Sequence, residues 1–382
     1  MRHRGSIAVC SAAPGTYDPG RWNAAKPVRI RRCPATAMPF GDEPGRLRCI
    51  DELSPRRKGG SRGDSRPGHL PPLTKRRFFM VTRRLAGLVG LALALVAGPP
   101  AAARTARFPV TIHAANGDVT IAKQPTRIVS LSPTMTEDLF AVGAGKQVVA
   151  VDDQSNYPPS APRTKLSGYT PNVEAIAAYR PDLVVAAADT SGLLAGLAKL
   201  HVPALLETPA KNLTGAYAQL EQLGRATGQV AGARRTIAAM KKQIAHIVAS
   251  VPKAARPLSV YEELSPDYYS ATSKTFTGQA LALLGLKDIA DAADKSGSGY
   301  PKLSAEYIVA ANPDVIVLAD TKCCGQTAAK LKRRAGWQTI AAVEHGGVVE
   351  VSDDVASRWG PRIVDYLRAV SSKLKHVAAA AG

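Results

Sequence analysis

NVEAIAAYRPDLVV, from Asn172 to Val185, and SAEYIVAANPDVIV, from Ser304 to Val317, are two copies of one pattern. Glu174 matches Glu306, Ile176 matches Ile308, Ala178 matches Ala310, Pro181 matches Pro313 and Asp182 matches Asp314, at a constant offset and without a gap. In each copy a segment with helical spacing runs into Pro-Asp, and proline ends a helix because it lacks the N–H the preceding turn needs. A β-branched apolar run follows, short and continuous, as a strand buried on both faces requires. Helix then buried strand, met twice with this agreement, predicts two lobes of similar architecture, each around a largely parallel sheet.

The flanking sequence extends this pattern. Phe108 to Ile112 reads as a short strand, and Arg127-Ile128-Val129-Ser130-Leu131 as a buried one. Ser132-Pro133-Thr134 turns the chain into an amphipathic helix through Leu139 and Phe140, stopped at Gly143, and Val148 to Val151 is the next strand. Between the two copies, Asn212 to about Val251 carries Leu220, Leu223, Ile237, Met240, Ile244 and Ile247 at broadly helical spacing. Gly224, Gly228 and Gly232 mark a break in it, and Pro252 and Pro257 end it. A helix of some 20 residues spans roughly 30 Å, enough to join two lobes stiffly, so the lobes are expected to close by only a few degrees. Gly360-Pro361 opens a last helix through Ile363, Val364, Leu367 and Val370. The predicted class is α/β, with two Rossmann-like lobes, a long helical connector and a ligand cleft between the lobes. The N-terminal lobe is expected over 104–211, the connector over 212–253, the C-terminal lobe over 254–359 and a closing helix and tail over 360–382.

The net charge of +20 suggests a nucleic-acid binder until its distribution is considered. Residues 1–103 hold 19 Lys/Arg against 6 Asp/Glu, leaving 31 basic and 24 acidic residues for the remainder. Most of the excess lies upstream of a secretion signal. Lys75, Arg76, Arg77, Arg83 and Arg84 flank Met80, an apolar run extends from Leu85 to Ala97, and Pro99-Pro100-Ala101-Ala102-Ala103 supplies small residues for cleavage. The run is short for a membrane span. Residues 80–103 are therefore read as a signal peptide and the protein as secreted into the periplasm or cell envelope. Only Cys323 and Cys324 remain in the exported part. Adjacent cysteines do not chelate metal in the C-x-x-C manner; in an oxidising compartment they either close a vicinal disulfide or stand as two thiols.

RIVSLSPTMTEDLFAVG, SNYPP, the two Glu…Pro-Asp units and GPRIVDYL, in this order, resemble the helical-backbone class of periplasmic binding proteins, which serve ABC importers of cobalamin, haem and ferric siderophores. The resemblance covers nearly all of Arg127 to Lys375. It implies no enzyme activity and no cofactor, cobalamin or a related corrinoid being the transported ligand. It also implies a permease with a cytoplasmic ATPase as partner, and a monomer. Counted back from Pro361, Asp354 and Arg358 fall where cobalamin-binding members resemble this sequence with an Asp and an Arg in the cleft. The amides of a corrin rim need both acceptors and donors, which Asp and Arg supply. Those relatives line the cleft with tryptophans; the comparable positions here look like Tyr169, Tyr269 and Tyr300, with Ala187 at another, and Trp359 is read as turned away. Ligands of open α/β sheets bind beyond the carboxyl ends of the strands, which adds Ser132, Gln154, Asp189 and Lys322-Cys323-Cys324. Glu174 and Glu306, matched at two helix starts, are read as docking points for arginines of the permease.

Residues 1–79, rich in Arg, Pro and Gly, read as translated leader with the start at Met80. Codons can be chosen for Lys26–Thr36 and Glu43–Arg48 that resemble conserved stretches of the cobalamin riboswitch, in order. Haem or a ferric siderophore is the alternative ligand, with Tyr157 or Tyr269 as an axial candidate for haem. A thiol-dependent envelope enzyme is the remote alternative; H-E-x-x-H and a P-loop are absent from the sequence, and no G-x-S-x-G lies in the exported part.

Overall fold

The structure, a computed structural model, describes residues 107–253 and 257–380. The leader and signal peptide read from the sequence lie outside the described residues, as do Cys10, Cys33 and Cys49.

The N-terminal lobe opens with an antiparallel hairpin, β1 (Val110–Ala114) and β2 (Gly117–Ile121), whose second strand the sequence reading did not include. The sheet follows, with β3 (Ile128–Leu131), β4 (Val148–Val151), β5 (Leu183–Ala186) and β6 (Ala204–Leu206) in the order β4-β3-β5-β6, every pair parallel. The crossovers are α1 (Pro133–Val142), α2 (Val173–Ala177) and α3 (Leu193–Lys199). Gly143 ends α1 in the left-handed conformation, φ 97°, and returns its N–H to the carbonyls of Leu139 and Phe140. The C-terminal lobe repeats the scheme. Its strands β7 (Ser259–Glu263), β8 (Lys287–Asp288), β9 (Val315–Leu318) and β10 (Val348–Glu350) lie in the order β10-β9-β7-β8, again all parallel. Its main crossovers are α6 (Phe276–Leu283) and α7 (Ala305–Ala311), and the short helices α8 (Ala328–Leu331) and α9 (Ala341–Glu344) lie between β9 and β10. Strands β3, β5 and β9 are buried at every residue, which accounts for their uninterrupted apolar character apart from Ser130.

The helical stretch 212–253 resolves into two helices, α4 (Leu213–Ala226) and α5 (Val230–Ala249), each of different service. Helix α4 packs on β1 and α1 and belongs to the N-terminal lobe. Only α5, 20 residues and thus about 30 Å long, leads from one lobe to the other. The break falls at Gly228, φ 77°, whereas Gly232 lies inside α5 for a different reason: a Cβ there would meet the carbonyl oxygen of Val142 at 1.8 Å. Its hydrogen side chain lets α5 press against the end of α1.

A single apolar cluster joins the lobes. Met135 and Leu139 of α1, Met240, Ile244 and Ile247 of α5, Val260 and Val317 of the second sheet, and Tyr366, Leu367 and Val370 of the last helix α11 (Ile363–Ala380) all belong to it. Relative motion of the lobes would have to shear this packed core, which is costly at interior packing density.

Candidate functional site

The carboxyl ends of the two sheets meet at one junction, and charged side chains occupy it. From the N-terminal lobe come Glu137 of α1 and the segment after β4, with Gln154, Asn156 and Tyr157. From the other side come the loop after β9, with Lys322, the single-turn helix α10 (Asp353–Ala356), and Arg358 and Arg362 leading into α11. Asp354 Oδ1 accepts from Arg358 Nη2 at 2.9 Å, and its Oδ2 accepts from Asn156 Nδ2 at 2.8 Å and Lys322 Nζ at 2.7 Å. Arg358 also donates through Nη1 to Glu137 Oε1 at 2.5 Å and through Nη2 to the Gln154 carbonyl at 3.2 Å. Arg362 grips the same Glu137 with two nitrogens, Nε at 2.8 Å and Nη2 at 2.5 Å, while its guanidinium lies 4.5 Å from the Tyr157 ring centroid. Charge-assisted bonds of this kind are about twice as strong as neutral ones.

Burial raises the pKa of the Asp354 carboxyl, but the bonds from Lys322 and Asn156 and the charge of Arg358 outweigh it and hold the group below the usual carboxylate range. Asp354 thus stays an anion, an acceptor with part of its surface open. Desolvation likewise pulls Arg362 down, and Glu137 more than reverses it. Next to Glu137, Asp138 is 1% exposed, and its Oδ1 has no hydrogen-bond partner. Burial first, then Glu137 and Glu207, raise its pKa far above the ordinary value. Glu207, just past β6 and also buried, is pushed up to about 8 by desolvation. In both, burial favours the protonated, neutral form.

The other residues singled out in the sequence fall in three groups. Ser132 is buried at the start of α1 without capping it, and Asp189 Oδ1 is taken up by the Leu194 N–H. Gln154 is exposed and contributes its backbone carbonyl to Arg358. Tyr269 and Tyr300 belong to one short antiparallel ladder beyond β7, where Tyr269 bridges Lys302 and Thr272 N–H reaches the Gly299 carbonyl. Tyr169 is 73% exposed in the facing lobe and Tyr300 45%, so both rings offer open surface. Trp359 turns into the core, its Nε1 donating to Gln219 Oε1 at 3.0 Å. Cys323 and Cys324 stand as two free thiols. Glu174 and Glu306 are both exposed, in the first turns of α2 and α7.

Sequence reasoning missed Glu137, Asn156 and Arg362. The signal for the first was present: Glu137-Asp138 is an acidic pair inside an otherwise apolar short helix, a placement that requires buried partners. Asn156 carries no such mark, because its role depends on a loop meeting the other lobe. Among the described residues no group of three or more His, Cys, Asp and Glu is placed to hold a metal ion, and no helix is long and apolar enough to cross a membrane. A groove of about 880 Å³ lies elsewhere, at Pro181, Asp182 and Pro203. Those residues mark the amino ends of β5 and β6, the end of an α/β sheet opposite to the one that binds ligands.

Residues 128–355 match the family model described as periplasmic binding protein. An ABC transporter substrate-binding lipoprotein of Bacillus subtilis, YvrC, is 32% identical over 281 residues, covering 71% of this chain and 87% of that one. A cobalamin-binding protein of Halobacterium salinarum is 32% identical over 305 residues, covering 74% and 82%. The crystal structure of a periplasmic solute-binding protein from Staphylococcus epidermidis superimposes with a TM-score of 0.58 at 28% identity, over 66% of this chain and 99% of its own. With the paired sheets, the helical connector and the charged junction between the lobes, this chain belongs to the periplasmic binding protein family.

Proposed function

We propose that this protein is the extracytoplasmic substrate-binding component of an ABC importer and that its cargo is cobalamin or a related corrinoid. The observation that carries the ligand class is the placement of Asp354. It is an anion held at the meeting point of both lobes, beside Asn156 and Lys322, and each lobe carries an exposed tyrosine, Tyr169 in one and Tyr300 in the other. An amide-rimmed macrocycle needs this mixture of acceptors, donors and flat apolar surface. The likeness to the cobalamin-binding protein of Halobacterium salinarum, across most of both chains, supports the same reading.

Delivery is assigned to Glu174 and Glu306. Each is exposed in the first turn of an echoed helix, one per lobe, so a permease with twofold symmetry can engage both at once. The Glu306 backbone N–H and the Ser304 side chain hold the Glu306 carboxyl below its ordinary pKa, so it remains charged for an arginine partner. No residue is assigned to catalysis.

Mature chain beginning near residue 104 is titrated with cobalamin, haem and a ferric siderophore, and protein taken from its host is inspected for a corrin absorption band. Saturable cobalamin binding is expected. Saturation by haem or the siderophore with none by cobalamin transfers the protein to the other branch of its family.

A further inference from the structure

Arg358, the donor expected to meet the ligand, is 5% exposed, and its two terminal nitrogens already serve Glu137, Asp354 and the Gln154 carbonyl. Its surroundings are those of a linkage between other groups. Arg358 has one terminal nitrogen on Glu137 and the other on Asp354, and Arg362 Nη2 serves Glu137 and Asp354 together. Arg358 reaches the Asp354 side chain at 2.9 Å, and Arg362 Nη2 reaches the Asp354 backbone carbonyl at 3.1 Å. Glu137 itself has a side chain only 2% exposed, and both of its oxygens are engaged.

We infer that Glu137 is the positioning residue of the cleft, fixing Asp354 toward the ligand through Arg358 and Arg362. The inference rests on the ligand reading above. Helix α10, which carries Asp354, has four residues, and one turn does not hold its own shape in water. Its orientation must come from outside, and the two guanidiniums supply it at side chain and backbone together. Charge balance makes the arrangement directional. Glu137 and Asp354 offset Arg358 and Arg362. Without the Glu137 charge, both cations stay largely removed from solvent and the Asp354 carboxylate is the anion that Arg358 still bonds. They would draw that carboxylate inward, away from Asn156, Lys322 and the open side. Asp138 cannot substitute. Burial pushes its carboxyl toward the neutral form, no arginine bonds to it, and its Oδ1 lies against Gly360, where a Cβ would approach to 2.8 Å.

The test is a double-mutant cycle read as cobalamin Kd, with wild type, Glu137→Gln, Asp354→Asn and the double variant as full mature chains. Each single change should raise Kd by about tenfold or more, while the double variant should bind no more than about twofold worse than Asp354→Asn alone, because residues that act through one another are non-additive. A merely structural clamp would weaken binding equally in the Asp354→Asn background, and such multiplying losses overturn the inference. If Glu137→Gln does not fold, Arg362→Lys keeps the charge and loses the fork, and the same cycle is run with it. Wild type that binds no corrinoid overturns the ligand reading and this inference with it; wild type that binds, with independent losses, overturns this inference alone.

Discussion

Asp182 and Asp314 do the same work in the two lobes. Asp182 accepts from the Thr126 N–H at 2.8 Å, the Thr126 hydroxyl at 2.9 Å and the Arg127 N–H at 2.8 Å. Asp314 accepts from the Ser259 N–H and hydroxyl, both at 2.8 Å. Each carboxylate stands just before an echoed strand and pins it to the start of the strand beside it, β5 to β3 and β9 to β7. The Pro-Asp repeat is therefore a register device. Asp182→Ala and Asp314→Ala should each cost about 1–3 kcal/mol, because each strands a backbone donor. Urea unfolding measures both, and the double variant should lose roughly the sum, the sites being in separate lobes.

Two residues before each of these aspartates the backbone is left-handed: Arg180 has φ 48° and Asn312 φ 44°. Both residues carry a Cβ that crowds the following carbonyl in this conformation, and the short Asn side chain offsets that by hydrogen-bonding locally, which a long Arg side chain does not. Arg180→Asn should stabilise the protein by roughly 1 kcal/mol. Asn312→Arg should destabilise by more than that, since Asn312 Oδ1 also accepts the Ala341 N–H at 2.8 Å. Paired melting curves decide; a neutral Arg180→Asn would mean the strain is relieved elsewhere.

How much of this was legible in the sequence depends on distance along the chain. The Pro-Asp stops, the Gly143 terminus and the buried strands are local events, each written within one turn or strand. The β2 strand was lost because GDVTI is too polar to stand out, and three of its five residues are exposed. At the junction, Asp354 and Arg358 were singled out through the resemblance to cobalamin-binding proteins, counted back from Pro361. That the buried partner Glu137 requires is Arg358, some two hundred residues later in the chain, is a tertiary fact that neither local stretch specifies.

The shared core fixes what ligand capture does to the overall shape. Met240, Ile244 and Ile247 of α5 are packed together with residues of both sheets and of α11, so large opening would expose apolar surface at roughly 25 cal/mol per Å². Small-angle scattering profiles with and without ligand should superimpose. A marked compaction on binding would show that this core yields.

Cys323 should be a sluggish thiol. Burial first, then Cys324 and the Asp353 carboxylate, push its pKa well above the ordinary thiol value, and its N–H is held by Asp353 at 2.7 Å. The thiolate is the reactive species, so alkylation near neutral pH should be slower in the native protein than after unfolding. Asp353→Asn, which removes a negative charge, should speed it. Native labelling as fast as unfolded would show that the thiol is not restrained.

Glu207 gives the folded protein a stability that depends on pH, and its sign follows from which state holds the proton. Unfolded, its carboxyl titrates near the ordinary 4.5; folded, burial pushes it up to about 8. Between those values the native state keeps a proton that the unfolded chain has released. Stability from this group is then fully present below pH 4.5 and declines as pH rises to about 8, where the native carboxyl also ionises. At about 1.4 kcal/mol for each pH decade of such a difference, the loss is of the order of a few kcal/mol. Glu207→Gln keeps the shape and cannot ionise. Its advantage over wild type in urea unfolding should therefore grow from pH 5 to pH 8. Asp138 titrates beside Glu207 and is also raised by it, so relieving that repulsion should add to the variant's gain at high pH. An advantage that stays constant across this range would mean that Glu207 ionises in the folded protein as freely as in the unfolded chain.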